Sequence, residues 1–205
     1  MRLLFVRHAP TDWNREGRYQ GRTDTPIGDE GLREARRIAA ALRGVPVDLV
    51  VTSPLRRALA TAEVIAAALG GVRHLVDDRL VEIAFGDWEG LTQEQIRARW
   101  PTELRAWKRA PQATRFPGGE SLREADERLR DFLRAPPWRG DGLVHCVVAI
   151  SHAGPIRLAR LFAERRSLAH FREVPVASGA AQEFQWSASE GLARLHPSPS
   201  LQDLS

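Results

Sequence analysis

Arginine and histidine stand side by side at Arg7-His8, and a second histidine follows a serine at Ser151-His152 far downstream. A neutral imidazole is a competent phosphoryl acceptor near pH 7, because its pKa lies close by. A second, protonated imidazole can stabilise charge on the transferring oxygens. Arginine adds a planar, bidentate grip on phosphate. Arg7 is one candidate for that grip and Arg56 is another. A cation in the first turn of a helix opposes the macrodipole by roughly 0.3–1 kcal/mol, and an anion bound between Arg56 and the free N–H groups would reverse that sign. Arg57 carries the same penalty and reads as solvated. Taken singly, His8 and His152 read as buried structural histidines and Arg56 as a surface residue. Together they point to phosphate chemistry. His74, His145, His170 and His196 have no such context.

These residues need a scaffold that gathers strand ends. Leu3 to Val6 is an apolar run long enough for a buried strand and too short for a helix. Residues 29–43 carry Leu32, Ala35, Ala39 and Leu42 at helical spacing, closed by Gly44. Val47 to Val51 is a second strand, and Thr52-Ser53-Pro54 offers a capping hydroxyl and a proline for the first helical position. Leu55, Leu59, Ala62, Ala66 and Leu69 then trace a helical stripe ending at Gly70-Gly71. His74 to Val76 and Val144 to Ser151 are further strands, the latter leading through Gly154-Pro155 into a helix reaching about Phe162.

This alternation predicts an α/β fold with a mostly parallel central sheet flanked by helices. In such sheets ligands collect outside the carboxyl ends of the strands, where Arg7, His8, Arg56, Ser151 and His152 would share one rim. Residues 92–135 are polar and helical, broken by Pro101, Pro111 and Pro117, and read as a helical insertion capping the active-site end. Glu183 to Trp186 and Ala193 to Leu195 look like closing strands, and a flexible tail is expected over 197–205. Residues 1–205 make one domain. Trp88, Trp100, Trp107 and Phe116 fit a cleft wall or the core equally well.

Composition narrows the class. The 205 residues are 43% hydrophobic and 27% charged, with no run near the roughly 20 apolar residues a spanning helix needs. The start turns polar at Arg7-His8, so no secretory leader is expected. One cysteine, Cys146, allows neither an intrachain disulfide nor a thiolate metal cluster. A cytoplasmic protein with no membrane partner follows. The pI of about 10.4 reflects arginine usage, since Lys108 is the sole lysine among 30 basic residues. Those arginines are interspersed with 26 acids, without a like-charge block, so no nucleic-acid partner is expected.

Arg7-His-Ala-Pro-Thr-Asp-Trp-Asn14 and Arg18-Tyr-Gln-Gly-Arg-Thr-Asp24 resemble the opening signature of the histidine phosphatase superfamily, in its phosphoglycerate-mutase-like branch. Thr52-Ser-Pro-Leu-Arg-Arg-Ala-Leu-Ala-Thr-Ala62, Leu80-Val-Glu-Ile-Ala-Phe-Gly-Asp-Trp-Glu-Gly90 and Ser151-His-Ala-Gly-Pro-Ile-Arg157 resemble its later blocks. The resemblance implies that His8 is the nucleophile, forming a phosphohistidine. It implies a phosphate pocket of Arg7, Arg56 and His152, with Asn14 as a further contact and Gln20 and Gly21 touching the rest of the substrate. Glu82 matches the acid/base carboxylate. A leaving alkoxide needs a proton, and a carboxyl facing a phosphate dianion has its pKa raised toward that use. Asp87, Glu89 and Glu120 compete but read as solvated or capping residues.

One departure stands out. Ala9-Pro10 replaces the family's usual Gly-Glu, so position 9 needs no positive φ. The expected function is hydrolysis of a small phosphorylated metabolite without metal or other cofactor, because two arginines and a protonated histidine already supply positive charge. The alternatives are mutase-type phosphoryl transfer and a non-catalytic phosphate-binding module. A homodimer is left open.

Overall fold

A computed structural model describes residues 1–139, 142, 144–189 and 191–194. Its strands are β1 (Arg2–Arg7), β2 (Leu49–Thr52), β3 (His74–Val76), β4 (Cys146–Ser151), β5 (Ala181–Ser187) and β6 (Gly191–Arg194). Its α-helices are α1 (Asp12–Arg15), α2 (Asp29–Ala41), α3 (Arg56–Ala68), α4 (Gln93–Arg99), α5 (Pro101–Arg109), α6 (Leu122–Arg134) and α7 (Ala153–Ala163). The expected closing strand reaches Arg194; Leu195 and the tail 197–205 lie outside the described residues.

The strands form one sheet in the order β3-β2-β4-β1-β5-β6. The first four are mutually parallel, while β5 runs antiparallel to both β1 and β6. Parallel strands covered on both faces read as continuous apolar runs, and Leu3, Leu4, Phe5 and Val6 are all fully buried. Alternation sends Leu4 and Val6 into one core layer with Ile38 of α2 and Ala62 of α3. Leu3 and Phe5 enter the other layer, with Leu129 of α6 and Ile156 of α7. Register aligns the strand ends: Arg7 pairs with Ser151 and Thr52 with Ile150. The carboxyl ends of β1, β2 and β4 therefore lie side by side.

Two local readings change. The expected insertion over 92–135 divides, because α6 flanks the sheet. Its Ser121–Glu124 capping box starts a helix that buries Leu122, Ala125, Leu129, Phe132 and Leu133, and Phe132 meets Phe5 edge-on at 6.3 Å. Only α5 reaches the active-site end, through Trp107. In addition, α3 begins later than the Thr52-Ser53-Pro54 reading implies. Leu55 is its N-cap, without a side-chain cap, because Ser53 directs its hydroxyl to His152 Nε2 at 2.8 Å.

Candidate active site

His8 closes β1 and is almost fully buried. Its Nδ1 lies 2.7 Å from the Ala9 carbonyl oxygen. A carbonyl only accepts, so the proton is assigned to Nδ1 and the lone pair to Nε2. Burial, and then Arg57 and Arg7, hold the His8 pKa well below its ordinary 6.5. The result is a neutral imidazole with a free nucleophilic nitrogen. Position 9 keeps a negative φ, consistent with alanine there, and its N–H donates to Thr61 Oγ1.

His152 follows β4 and caps α7. It is fully buried, its ring centroid 5.0 Å from that of His8. The sequence reading made it a cation; burial first, then Arg57, His8 and Arg7, instead press its pKa well below 6.5 and favour the neutral ring. Ser53 Oγ accepts from the Leu55 N–H at 3.4 Å, leaving its own hydrogen for His152 Nε2 at 2.8 Å. With no other acceptor for the buried Ser53 hydroxyl, the His152 proton is assigned to Nδ1, which is buried and has no protein partner among the described residues. A neutral His152 is still a hydrogen-bond donor.

The second arginine of the site is Arg57, not Arg56. Arg56 is exposed and does not line the cavity. Its backbone N–H donates to Asp24 Oδ1 at 2.7 Å, so the anion at this helix N-terminus is the protein's own aspartate. Arg57 is fully buried on the face of α3 shared with Thr61 and Ile65. Its Nη1 and Nη2 donate to the carbonyls of Thr23 and Gly21 at 2.9 and 2.7 Å. Arg7 Nη1 donates to the Val176 carbonyl at 2.9 Å, and burial pulls its pKa down to about 10. Among the described residues neither Arg7 nor Arg57 has an ion-pair partner within 4 Å. Both keep a buried Nε–H without a partner.

Glu82 is buried, and its carboxyl pKa is raised by burial against the opposing pull of the Ile83 N–H, Arg57, Arg7 and Arg157. Its Oε1 accepts from the N–H groups of Ile83 and Gly154, both at 3.0 Å. Gly154 leaves room for this contact, since a Cβ there would lie 2.2 Å from Glu82 Oε1. Arg128 grips the segment from outside, donating to the Arg79 and Val81 carbonyls at 2.9 and 2.8 Å and to Glu120 at 2.8 Å.

Asn14 and Gln20 both line the cavity. Asn14 Oδ1 accepts from the Thr11 N–H, and Gln20 Oε1 from the hydroxyls of Thr25 and Thr11. With each amide oxygen occupied, each NH₂ is without a hydrogen-bond partner among the described residues. Gly21, at φ +56°, lies against Glu89 with no space for a Cβ and supplies a carbonyl to Arg57.

Around His8, Arg7, Arg57 and Glu82 opens a cavity of about 380 Å³. Sequence reasoning missed its outer wall. Trp107 is there as one of the two options left open, joined by Tyr19, Phe85 and Phe171, while Trp88 and Phe116 belong to the core. Arg18, Arg157 and Arg172 also line it. Helical spacing could have found Arg157, since it lies one turn beyond Ala153, itself at the cavity. Among the described residues no three His, Cys, Asp or Glu side chains gather as metal ligands, and no helix is long and apolar enough to cross a membrane.

Known proteins resemble the chain in sequence and fold over most of its length. The sequence model of the histidine phosphatase superfamily (branch 1) matches residues 3–196. Phosphoserine phosphatase 1 of Hydrogenobacter thermophilus is 35% identical over 160 residues, 77% of this chain and 73% of that protein. A 2,3-bisphosphoglycerate-dependent phosphoglycerate mutase of Allorhizobium ampelinum is 29% identical over 200 residues, 93% and 92% of the two chains. The solved mycobacterial glucosyl-3-phosphoglycerate phosphatase with VO3 superposes with a TM-score of 0.80 at 29% identity, covering 94% of this chain and 95% of that one. The chain belongs to branch 1 of the histidine phosphatase superfamily and is an enzyme of the phosphoric monoester hydrolase kind.

Proposed function

We propose that the protein hydrolyses small phosphomonoesters in two steps through a phosphohistidine at His8, without a metal ion. The observation that carries this reading is the 2.7 Å contact between His8 Nδ1 and the Ala9 carbonyl. Nδ1–H is tied to the Ala9 carbonyl, so the free Nε2 lone pair sits in a cavity also lined by two arginines without ion-pair partners, Arg7 and Arg57. Those guanidiniums, with the Nδ1–H of His152, hold the phosphoryl oxygens and stabilise their charge during transfer. His8 Nε2 attacks phosphorus as the ester P–O bond breaks, and protonated Glu82 gives its proton to the leaving alkoxide. In the second step Glu82, now ionised, takes a proton from water. The resulting hydroxide displaces His8 Nε2, releasing inorganic phosphate and restoring the starting state.

Asn14 and Gln20 add N–H donors to the phosphoryl group. Gly21 acts through its carbonyl on Arg57. The relatives named as phosphoserine phosphatase and glucosyl-3-phosphoglycerate phosphatase support hydrolysis; the mutase relative keeps transfer to a second hydroxyl as the competing outcome. The test is a panel of phosphomonoesters assayed for free phosphate and for isomerised product. Rapid quenching with labelled ester should trap phosphate on wild type and none on His8→Ala. Turnover by His8→Ala within about tenfold of wild type would refute covalent catalysis by His8, and isomerisation without phosphate release would refute hydrolysis.

A further inference from the structure

Arg157, on α7, is largely buried at the cavity wall and is not needed to hold the phosphoryl group in the mechanism above. Its Nε–H donates to the Val174 carbonyl at 2.9 Å, and its guanidinium lies 5.5 Å from the centre of the Phe171 ring. Both contacts fix the plane of the group and leave the Nη1–Nη2 edge free. Among the described residues that edge has no hydrogen-bond or ion-pair partner. A free, oriented two-nitrogen edge is the geometry that receives a carboxylate through two parallel hydrogen bonds.

Charge balance points the same way. Five arginines line a cavity with one carboxyl, Glu82. Arg18 is paired with Glu16, which leaves Arg7, Arg57 and Arg157 as the sheltered cations to be matched, and Glu82 is neutral when it is ready to donate its proton. Three positive charges against a phosphoryl dianion leave one uncompensated. One further negative charge on the substrate would match it. Arg172 stands at the same mouth but is exposed, and solvent screens its contribution. Phe171 packs against the Arg157 guanidinium and, with Trp107, Phe85 and Tyr19, lines the same cavity; apolar neighbours strengthen an ion pair formed there.

We infer that Arg157 is a specificity residue that binds a carboxylate on the leaving group, so that the preferred substrates are small phosphorylated hydroxy or amino acids. This rests on the phosphatase reading and refines its substrate class. The cavity, at about 380 Å³, has room for such an acid beside the phosphoryl group.

Matched esters test it: O-phosphoserine against O-phosphoethanolamine, and 3-phosphoglycerate against glycerol 3-phosphate, with p-nitrophenyl phosphate as common reference. In wild type the carboxylate member of each pair should have a kcat/KM about tenfold to a hundredfold higher, the range for a hydrogen-bonded charged group. Arg157→Ala and Arg157→Gln should each bring both ratios toward one. Wild-type ratios near one would overturn the assignment, as would ratios that survive in a folded variant. The wild-type ratios decide alone if neither variant folds. Higher kcat/KM for a bisphosphate than for either acid would also overturn it, by assigning the edge to a second phosphate. Wild type that releases phosphate from none of the five esters would instead sink the phosphatase reading itself.

Discussion

Gly154→Ala removes no functional group, yet it should separate acid catalysis from phosphate binding. A Cβ at this position would lie 2.2 Å from Glu82 Oε1 and 2.8 and 2.9 Å from Ile83 Cδ1 and Cγ1. Ordinary contact begins near 3.4 Å, so the carboxyl has to retreat by about 1.2 Å. That retreat breaks the 3.0 Å bond from the Gly154 N–H. A misplacement of about 1 Å costs roughly a hundredfold in rate, within the roughly 10²–10⁴ that general acid catalysis contributes. Overpacking costs about 1–3 kcal/mol, and replacing glycine in a helix returns at most about 1 kcal/mol. The net loss is about 0–3 kcal/mol, a fall in Tm of roughly 0–12 °C for a domain this size. The assay compares kcat on an alkyl phosphate, which needs protonation to leave, with kcat on p-nitrophenyl phosphate, which hardly does. The alkyl ester should lose about a hundredfold and the aryl ester far less. Equal losses would refute Glu82 as the proton donor, and unchanged rates on both would refute the contact.

Neighbouring arginines should respond oppositely to the same change. Arg57→Lys forfeits the forked contacts to Gly21 and Thr23 and should lower kcat/KM about tenfold to a thousandfold, while exposed Arg56→Lys should stay within about twofold of wild type; the reverse order would restore Arg56 to the site. Turnover should survive exhaustive EDTA, and vanadate should inhibit as a five-coordinate mimic of the transferring group; dead enzyme revived by magnesium or zinc would refute the two-arginine account. Stability should fall with acidity before ordinary carboxylates titrate. His8 and His152 are held neutral below their ordinary 6.5, so the unfolded chain takes up their protons first, and their contribution is complete above about pH 6.5 and lost below it. Glu82, raised by burial, acts in the opposite sense. Urea midpoints from pH 7.5 to 5.5 should decline in wild type and less steeply in His152→Asn, whereas parallel slopes would refute the linkage.

What the sequence made legible was what depends on neighbours in the chain. The apolar runs of β1 and β4 and the helical stripe of α2 need only local spacing, and the strand-end rule then brings His8 and His152 together. The choice between Arg56 and Arg57 failed because a helix's phase depends on where it starts. Leu55, Leu59, Ala62, Ala66 and Leu69 drew the apparent stripe; α3 does bury Ala62 and Ala66, but with Arg57, Ala58, Thr61 and Ile65, while the three leucines are only partly buried. The helix N-cap, Leu55, has no side-chain cap, and the Ser53 hydroxyl that local sequence offers for that role is engaged with His152, 99 residues away. The charge of His152 was illegible for a similar reason. Its ordinary pKa leaves both states open, and only complete burial beside two arginines selects the neutral one. Tyr19, Phe85 and Phe171 come from three separated segments, and no local pattern announces their meeting.

Glu89 and Glu120 explain how such a site keeps its positive charge available. Both read as solvated or capping residues in the sequence, and neither lines the cavity. Glu89 accepts from the N–H groups of Arg22, Thr23 and Phe85 and from the Thr23 hydroxyl. This ties the loop whose Gly21 and Thr23 carbonyls hold Arg57 to the segment that follows Glu82. Glu120 accepts from the Ala84 N–H, Arg128 and Arg22, while Arg128 holds the carbonyls that precede Glu82. Loop N–H groups need partners wherever they are sheltered from water, and here carboxylates meet that need from outside the cavity. Had either carboxylate turned inward to pair with Arg7 or Arg57, an incoming phosphate would have to displace it, and binding would lose the energy of that ion pair. Arg57 is instead anchored by neutral carbonyls, which orient the guanidinium without cancelling its charge. The arginines are thereby held in place and free of direct ion pairs together, the condition under which an oxyanion is stabilised in the transition state without reorganisation of the site.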